Sequence, residues 1–401
     1  MQVLNQGITA PLGFLAQGVA AAIKKPDRED LAVILAAREC KAEAVFTTNR
    51  VQAACVKYSK EVAARGAARA VVVNSGNANA CTGLQGEIDA RVMAQTAAEM
   101  LHIEPEEVIV ASTGVIGVPM PMERVQAGIK EACRGLSVGG GHSAARAIMT
   151  TDTVPKEIAV QVRIDGKPVR IGAMAKGSGM IHPNMATMLG FITTDVNISN
   201  ECLGQALRDS VDISYNMISV DRDTSTNDMV VVLANGLAGN SLIDNISSRS
   251  YRDFKAALDY VNVELARSIA GDGEGATRLI QVEIVNAGSQ HAARQIARSI
   301  TGSNLTKAAV FGQDANWGRI ICAAGYAGAE FDPNLVDIYL GEVQVASNGM
   351  GVDFDEEKAR QTLQQDTVCI RLDMKQGTCA ATAWGCDLTH DYININASYR
   401  T

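Results

Sequence analysis

The sequence predicts an α/β fold with a smaller C-terminal α+β lobe. Short β-branched segments that end in Asn, Ser or Gly alternate with segments of helical periodicity in the part of the chain before about residue 290. Past that point apolar and polar residues alternate with period two, which is typical of a sheet with one solvated face. The 401 residues are 47% hydrophobic, so the chain can bury a substantial core.

Before residue 290 the predicted elements are buried strands and amphipathic helices. The runs "ARAVVVN" (68–74) and "EVIVAS" (107–112) predict two strands, and apolar residues at helical spacing across 88–101 predict a helix between them. "DMVVVLANG" (228–236) predicts a third buried strand. A long helix is predicted over 251–273.

The predicted C-terminal lobe spans 290–401, after a soft boundary near 285–290. Within it "DIYLGEVQVA" (337–346) and "TVCIRLDM" (367–374) alternate apolar and polar residues with period two, which predicts sheet with one solvated face. "DFDEEKARQTLQQ" (353–365) reads as an exposed helix between them.

Charge and composition exclude several classes of function. The net charge of -8 argues against nucleic acid or an anionic membrane as the main partner, and no apolar run approaches the ~20 residues that span a bilayer. The first residues lack a basic segment followed by an apolar one, so we expect a cytoplasmic protein. Nine cysteines and five histidines without metal-ligand spacing favour reduced thiols and no metal site.

The segment 176–191, "KGSGMIHPNMATMLGF", allows two interpretations. It is either a loop that leads into a buried strand or a self-cleavage site. Glycines and Pro183 could hold the Ala186–Thr187 peptide bond strained, so that the hydroxyl attacks the preceding carbonyl in an N→O acyl shift. A threonine freed in this way has its own α-amino group as base. The residues alone leave both interpretations open, and His182 is more often a structural hydrogen-bonding group.

Other polar segments also have an ordinary and a functional interpretation. Thr113 and Gly114 follow a predicted strand, either as a plain turn or as donors to an oxyanion. Glu274 lies in "GDGEGATR", either a helix-terminating turn or a carboxylate held out to an ammonium group. "MTTDTVPK" (149–156) is either a capping loop or a polar wall, and the end "YININASYRT" looks ordered.

Six blocks of the chain resemble the ornithine acetyltransferase family of arginine biosynthesis, which includes bifunctional glutamate N-acetyltransferases. "KGSGMIHPNMATML" is similar to the autoprocessing signature of that family and is highly specific. "STGVIG", "MTTDT", "GDGEGATR", "FGQDANWGR" and "YININASYRT" resemble its other blocks in the expected order. The resemblance runs over the full length of the chain.

The resemblance implies a layered α-β-β-α arrangement of the N-terminal-nucleophile type. It implies that the precursor cuts itself between Ala186 and Thr187 into an α chain, 1–186, and a β chain, 187–401. Thr187 is then the nucleophile that takes acetyl from N2-acetylornithine and passes it to glutamate in a ping-pong reaction. Thr113 and Gly114 form the oxyanion hole.

The resemblance also implies the substrate contacts and the assembly. The implied substrate-binding residues are Thr150, Lys176, Thr187, Glu274, Asn396 and Thr401. No metal or prosthetic group is implied, and acetyl-CoA is an acetyl donor in bifunctional members only. The implied assembly is a heterotetramer of two α and two β chains. We assign a substrate carboxylate to Lys176 and an ammonium group to Glu274, because their charges are complementary.

Two other functions stay open on the sequence. An aminopeptidase or amidase of related fold would also cleave itself, but water would accept its acyl group instead of glutamate. A non-catalytic small-molecule binder would have no use for the cut, and a denaturing gel separates it from the enzymes. The sequence does not decide whether acetyl-CoA is a second donor.

Overall fold

The computed structural model describes residues 1–182 and 188–398. Its strands in those ranges are β1 (Gln2–Leu4), β2 (Phe14–Val19), β3 (Leu31–Phe46), β4 (Ala67–Asn77), β5 (Val108–Val115), β6 (Lys156–Ile164), β7 (Lys167–Lys176), β8 (Leu189–Thr194), β9 (Ile218–Ser219), β10 (Met229–Ala234), β11 (Leu279–Ala287), β12 (Asp337–Leu340), β13 (Val343–Ser347), β14 (Met350–Gly351), β15 (Thr367–Asp373) and β16 (Cys379–Cys386). Its α-helices are α1 (Ala54–Ala63), α2 (Gly83–Leu101), α3 (Met122–Gly135), α4 (Gly141–Ala147), α5 (Asn200–Ile213), α6 (Arg249–Gly271), α7 (Gln290–Thr301), α8 (Asn304–Phe311), α9 (Trp317–Gly325), α10 (Glu356–Leu363) and α11 (His390–Ser398).

A nine-stranded sheet forms the larger part of the molecule. Its order is β1-β6-β7-β8-β10-β3-β4-β5, with β2 also paired to β3. The pairs β4–β5 and β8–β10 are parallel and the other pairs are antiparallel. The pairing of β3 with β4 is irregular between Leu35 and Cys40. On the other edge of β3, its first half pairs with β2 and its second half pairs with β10.

Helices cover both faces of this sheet. On β10 the odd-numbered Met229, Val231 and Leu233 belong to one apolar core, which includes residues of α1, α2, α3 and α4. The even-numbered Val230 and Val232 belong to a second core, with residues of α5 and α6. Successive side chains of a strand point to opposite faces, so a strand buried on both faces must be apolar throughout.

A seven-stranded sheet in the order β14-β13-β12-β15-β11-β16-β9 forms the smaller lobe. In β11 the fully buried Ile280, Val282 and Ile284 alternate with the half-buried Gln281 and Glu283, as expected for a sheet with one solvated face. The α6 helix contacts β6 and β7 of the larger sheet and β11 and β16 of the smaller one. The second core therefore joins the two sheets.

The predicted class, a layered α/β protein with a smaller α+β lobe, is confirmed. The five predicted segments before residue 290 correspond to β4, α2, β5, β10 and α6. The predicted soft boundary near 285–290 falls at the end of β11, which itself pairs within the smaller sheet.

The predicted sheet over 337–346 is present in the lobe. The segment forms a hairpin, β12 and β13, within the smaller sheet. Gly341 between the two strands has a φ of 56°, a left-handed conformation that glycine adopts without steric cost. Alternating polarity continues through the turn, which is why the pattern alone does not reveal it.

The ends of four strands of the larger sheet surround one region. Thr113 and Gly114 lie at the end of β5 and Lys176 ends β7, while β8 and β10 begin there at Leu189 and Met229. None of the helices within the described ranges has the length and apolar character needed to cross a bilayer.

Candidate active site

One cavity of about 160 Å³ brings together predicted residues from five separate segments of the chain. The predicted site residues that line it are Thr113, Gly114, Thr150, Lys176, Glu274 and Asn396. They come from β5, the segment after α4, β7, the segment after α6 and α11. Folding therefore brings together at one cavity the residues that separate sequence motifs had indicated.

Three predicted residues lie outside the described part of the structure. They are Ala186 and Thr187, at the predicted cleavage site, and the C-terminal Thr401. Met188 and Leu189, which follow Thr187 in the sequence, line the cavity. The predicted nucleophile is thus one residue away in sequence from the wall of this cavity.

Thr113 and Gly114 occupy a place where the backbone needs glycine. Gly114 has a φ of 135°, and a Cβ atom there would lie 2.3 Å from the carbonyl carbon of Gly76 on β4. The paired strands β4 and β5 therefore approach each other closely beside the Thr113 side chain. This close approach keeps both predicted oxyanion donors on the cavity wall.

Asn227 holds this strand end and was not predicted from the sequence. Its Nδ2 group donates hydrogen bonds of 2.8 Å to the carbonyl of Ser112 and 2.6 Å to the carbonyl of Ala78. Asn227 is 4% exposed and lines the cavity. A polar run, "DTSTND", directly before the buried strand β10 was the available signal, but it does not say which segments meet there.

A buried ion network fixes the segment that contains Thr150. The Lys156 ammonium donates to Asp152 at 2.7 Å and to Asp272 at 2.6 Å. Asp152 also accepts the backbone amides of Thr150 at 3.0 Å and Gly177 at 2.7 Å. Of the two interpretations of 149–156, the structure therefore favours a polar wall whose carboxylate ties three segments together.

The Asp152 carboxyl group stays charged because its interactions with neighbouring groups lower its pKa more than burial raises it. Burial raises the pKa of this carboxyl group, but the ammonium groups of Lys176 and Lys156 and the hydrogen bond from Gly177 hold the pKa well below its usual range. A carboxyl group with a lowered folded-state pKa stabilises the fold above its unfolded pKa, about 4. That contribution is lost as the pH falls through the folded-state pKa.

We expect Asp152→Asn to lower the free energy of unfolding by about 3 kcal/mol at pH 7, because it breaks a buried ion pair from one side. The difference from the wild type should shrink as the pH falls below about 4, because this carboxyl group then takes up a proton in the unfolded chain while it stays charged in the folded protein. Urea unfolding at pH 7 and pH 3 measures both values. Glu61→Gln is the control, since its ion pair with Arg91 is exposed and should contribute less than about 1 kcal/mol. An equal loss from both variants would contradict this account.

Lys176 and Asp228 are two buried titratable groups that line the cavity. Lys176 is 7% exposed; burial lowers the pKa of its ammonium group, and the carboxylate of Asp152 opposes that shift. Burial raises the pKa of Asp228 well above its usual range, although Ser225 and the Met188 amide donate hydrogen bonds to it. No sequence motif marked Asp228. Its Oδ2 atom has no hydrogen-bond partner among residues 1–182 and 188–398.

Glu274 and Asn396 form the contact between the "GDGEG" loop and the C-terminal helix. The Asn396 amide donates to Glu274 Oε2 at 2.7 Å. Glu274 is 6% exposed, and its carboxylate lies against Gly179, where a Cβ atom would be 2.5 Å from both carboxylate oxygens. Glycine is therefore required at position 179 for space, since Gly179 is not among the glycines with a positive φ.

His182 has the structural role that its sequence context favours. Its Nδ1 atom lies 3.0 Å from Ser219 Oγ, and Arg298 lies 3.4 Å from its Nε2 atom. Burial and the nearby Arg298 and Arg222 lower the pKa of His182 to about 4. The imidazole is therefore neutral at pH 7 and bound to its neighbours, so a role as a catalytic base is not needed to explain it.

The cysteines and the residue types that commonly bind metals bear on two of the sequence-based expectations. All nine cysteines are free thiols, and four of them are buried. In the described ranges no group of three or more His, Cys, Asp or Glu residues is arranged to hold a metal ion. The expectation that no metal or prosthetic group takes part stays a prediction.

Comparisons with known proteins match the whole chain. The model of the ArgJ family matches residues 15–401. The arginine biosynthesis bifunctional protein ArgJ of Symbiobacterium thermophilum is 56% identical over 403 residues, with 100% of both chains covered. Its counterpart in Caldanaerobacter subterraneus is 52% identical, again with 100% of both chains covered. A crystal structure of the ArgJ protein of Bacillus halodurans is 45% identical with a TM-score of 0.52, and covers 53% of this chain and 100% of the solved chain.

Proposed function

The chain belongs to the ArgJ family, and from that premise we propose that it moves an acetyl group from N2-acetylornithine to glutamate in arginine biosynthesis. The observation that carries this proposal is the convergence of Thr113, Gly114, Lys176 and Glu274 on one cavity beside Met188. A hydrolase of related fold is the weaker candidate, because the close relatives are named as biosynthetic proteins.

Thr187 is the proposed nucleophile, after self-cleavage of the Ala186–Thr187 bond. The hydroxyl oxygen of Thr187 bonds to the acetyl carbonyl carbon, and its proton passes to the freed α-amino group, whose ordinary pKa is about 8. The amide C–N bond then breaks, and ornithine leaves with that proton on its α-nitrogen. The α-amine of glutamate next attacks the acetyl ester, which gives N-acetylglutamate and restores the hydroxyl. The proposed cut is supported by the crystal structure of the Bacillus halodurans relative, whose whole chain matches only 53% of this chain. Residues 187–401 on their own make up a similar fraction of this chain.

Thr113 and Gly114 are the proposed oxyanion donors. The hydroxyl of Thr113 and the amide of Gly114 would donate to the carbonyl oxygen as it gains negative charge. The support is that both residues line the cavity at a strand end held by Asn227 and by the close approach of Gly76. Donors on a rigid wall stabilise the charge without reorganising.

Lys176 and Glu274 are the proposed charge partners of the substrates. The Lys176 ammonium is buried, and among the described residues it donates no hydrogen bond, so it is placed to accept a carboxylate from a ligand. Glu274, oriented by Asn396, suits the side-chain ammonium of N2-acetylornithine. Thr150 adds a polar group to the wall, and Thr401 completes the proposed set of binding residues.

The rest of the proposal concerns the donor, the assembly and the compartment. Acetyl-CoA serves as a second acetyl donor, which fits the word "bifunctional" in the names of the relatives. No other cofactor takes part. Two α chains, 1–186, and two β chains, 187–401, form a heterotetramer in the cytoplasm.

We expect the purified protein to show two bands on a denaturing gel, each near half of 42.4 kDa. Transfer to glutamate should then be assayed with N2-acetylornithine and with acetyl-CoA as separate donors. N-acetylglutamate should form from both donors, and double-reciprocal plots should be parallel, as in a ping-pong reaction. If N-acetylglutamate forms with N2-acetylornithine but not with acetyl-CoA, only the proposed role of acetyl-CoA as a second donor is contradicted. Release of free acetate without N-acetylglutamate would identify a hydrolase.

A further inference from the structure

A ping-pong acetyl transfer between these substrates poses a problem of charge. The donor, N2-acetylornithine, carries an ammonium group on its side chain, whereas the acceptor, glutamate, carries a carboxylate. Both must reach the same acetylated hydroxyl in turn. Glu274 attracts the first side chain and repels the second, since like charges in a partly buried site oppose each other. One recognition group therefore cannot serve both half-reactions.

The cavity has a second, cationic part that the proposed binding residues do not include. Lys24, Lys25 and Arg28 line it, and all three come from the loop between β2 and β3. We call these three residues the cationic rim. Lys25 is exposed and Arg28 is half-buried. Among the described residues neither of these two forms a salt bridge, so their charges are available to a ligand.

The loop that carries the rim is held in place. The buried carboxylate of Asp30 accepts the amides of Ala21 at 2.7 Å and Ile23 at 2.6 Å. Arg124 donates to the carbonyl of Ala22 at 2.8 Å, and Glu29 pairs with Arg146 at 3.1 Å. Cations on an ordered loop lose less conformational freedom on binding an anion than cations on a mobile one.

The rim lies near the proposed oxyanion donors, and the acidic groups considered for the donor come from other segments of the chain. A Cβ atom on Gly76 would lie 2.9 Å from the Lys24 side chain, and Gly76 is the close neighbour of Gly114. The acidic groups Asp223 and Glu274 belong to other segments and lie around Tyr392, whose pKa is raised by burial and by these carboxylates. The β2–β3 loop thus brings three cations and the buried Asp30 to the cavity, whereas Asp223 and Glu274 come from other segments.

We propose that Lys25 and Arg28 bind the side-chain carboxylate of the acceptor and so select a dicarboxylic amino acid in the second half-reaction. This inference rests on the proposed function. The donor uses Glu274 and the acceptor uses the rim, while Lys176 serves the α-carboxylate of both. Alternation between two charge partners lets one cavity handle side chains of opposite charge.

The test compares glutamate with glutamine as acetyl acceptors, with N2-acetylornithine as donor. Glutamine has nearly the same shape but lacks the negative charge. We expect the Lys25→Ala/Arg28→Ala double variant to lose on the order of tenfold in kcat/KM for glutamate, the typical effect of losing hydrogen bonds to a charged group. Its preference for glutamate over glutamine should largely disappear. Arg28→Lys, which keeps the charge, should retain part of that preference.

Lys130→Ala is the matched control, because Lys130 is an exposed lysine on α3 that does not line the cavity. It should keep the wild-type preference for glutamate, and thermal melting should show that all variants fold. If the double variant keeps the wild-type preference for glutamate over glutamine, the proposal is overturned. If its activity falls only in reactions with acetyl-CoA as donor, the proposal is also overturned, and the rim is then assigned to the phosphates of acetyl-CoA. A wild type that makes no N-acetylglutamate overturns the proposed function itself, and the rim proposal with it.

Discussion

Thr187→Ala should abolish both self-cleavage and acetyl transfer. The same hydroxyl is proposed to attack the Ala186 carbonyl in processing and the acetyl carbonyl in catalysis, and alanine has no nucleophile for either step. A denaturing gel should show a single band near 42.4 kDa. The assay with N2-acetylornithine and glutamate should give no N-acetylglutamate above background. The expected effect is the largest of any substitution proposed for this chain.

Thr187→Ser is the control for this experiment, because serine keeps a hydroxyl at the same position. It should cleave itself at least in part and retain measurable transfer, whereas the alanine variant should do neither. Thermal melting of both variants establishes that the loss does not come from unfolding. Wild-type transfer by Thr187→Ala would exclude the proposed mechanism, and a cut chain that still failed to transfer would separate processing from catalysis.

Thr113→Ala should lower kcat for acetyl transfer by on the order of 10²–10³, the typical cost of removing one oxyanion donor. KM should change much less, since the lost interaction forms mainly in the transition state. Processing should continue at least partly, because the nucleophile is intact. Steady-state kinetics with both substrates, together with a gel of the purified protein, measures all three quantities.

Thr113→Ser is the matched variant, since it restores a hydroxyl group on the same strand end. It should recover most of the lost kcat if the hydroxyl donates to the oxyanion. Gly114→Ala is less informative, because the new Cβ atom would meet the backbone of Gly76 and shift both strands. Unchanged kcat in Thr113→Ala would remove Thr113 from the oxyanion hole and leave the Gly114 amide as the proposed donor.

Much of the fold was predictable because burial leaves a local pattern in the sequence. The strands β4 and β5 are continuous β-branched runs, and α2 and α6 repeat their apolar residues at helical spacing. The turn at Gly341 was not visible in the sequence, because the alternating pattern that predicted sheet continues through it. The pairing of β11 with β15 and β16 was not predictable from the sequence, because it joins residues such as Leu279 and Thr367, or Leu279 and Cys386, that are far apart in the chain.

The residues of the candidate site also fall into two groups, those that sequence motifs indicated and those that only the structure revealed. Thr113, Gly114, Thr150, Lys176 and Glu274 stand in short specific motifs, so the sequence singled them out, and the structure places them on one cavity. Asn227, Asp228 and the cationic rim stand in no such motif. Their roles come from contacts with distant segments, as when Asn227 reaches Ser112 across 115 positions of the chain.

By itself the sequence determined the α/β class, the positions of those helices and strands that have a clear apolar pattern, and the residue types available for chemistry. Only the tertiary structure decided which charges face one another, which of them are buried, and which segment holds another in place. The reason is physical: a periodic apolar pattern acts between neighbours along the chain, whereas burial and the fields of other charges arise from groups brought together by folding. Lys156 shows this well, since its two carboxylate partners lie 4 and 116 positions away.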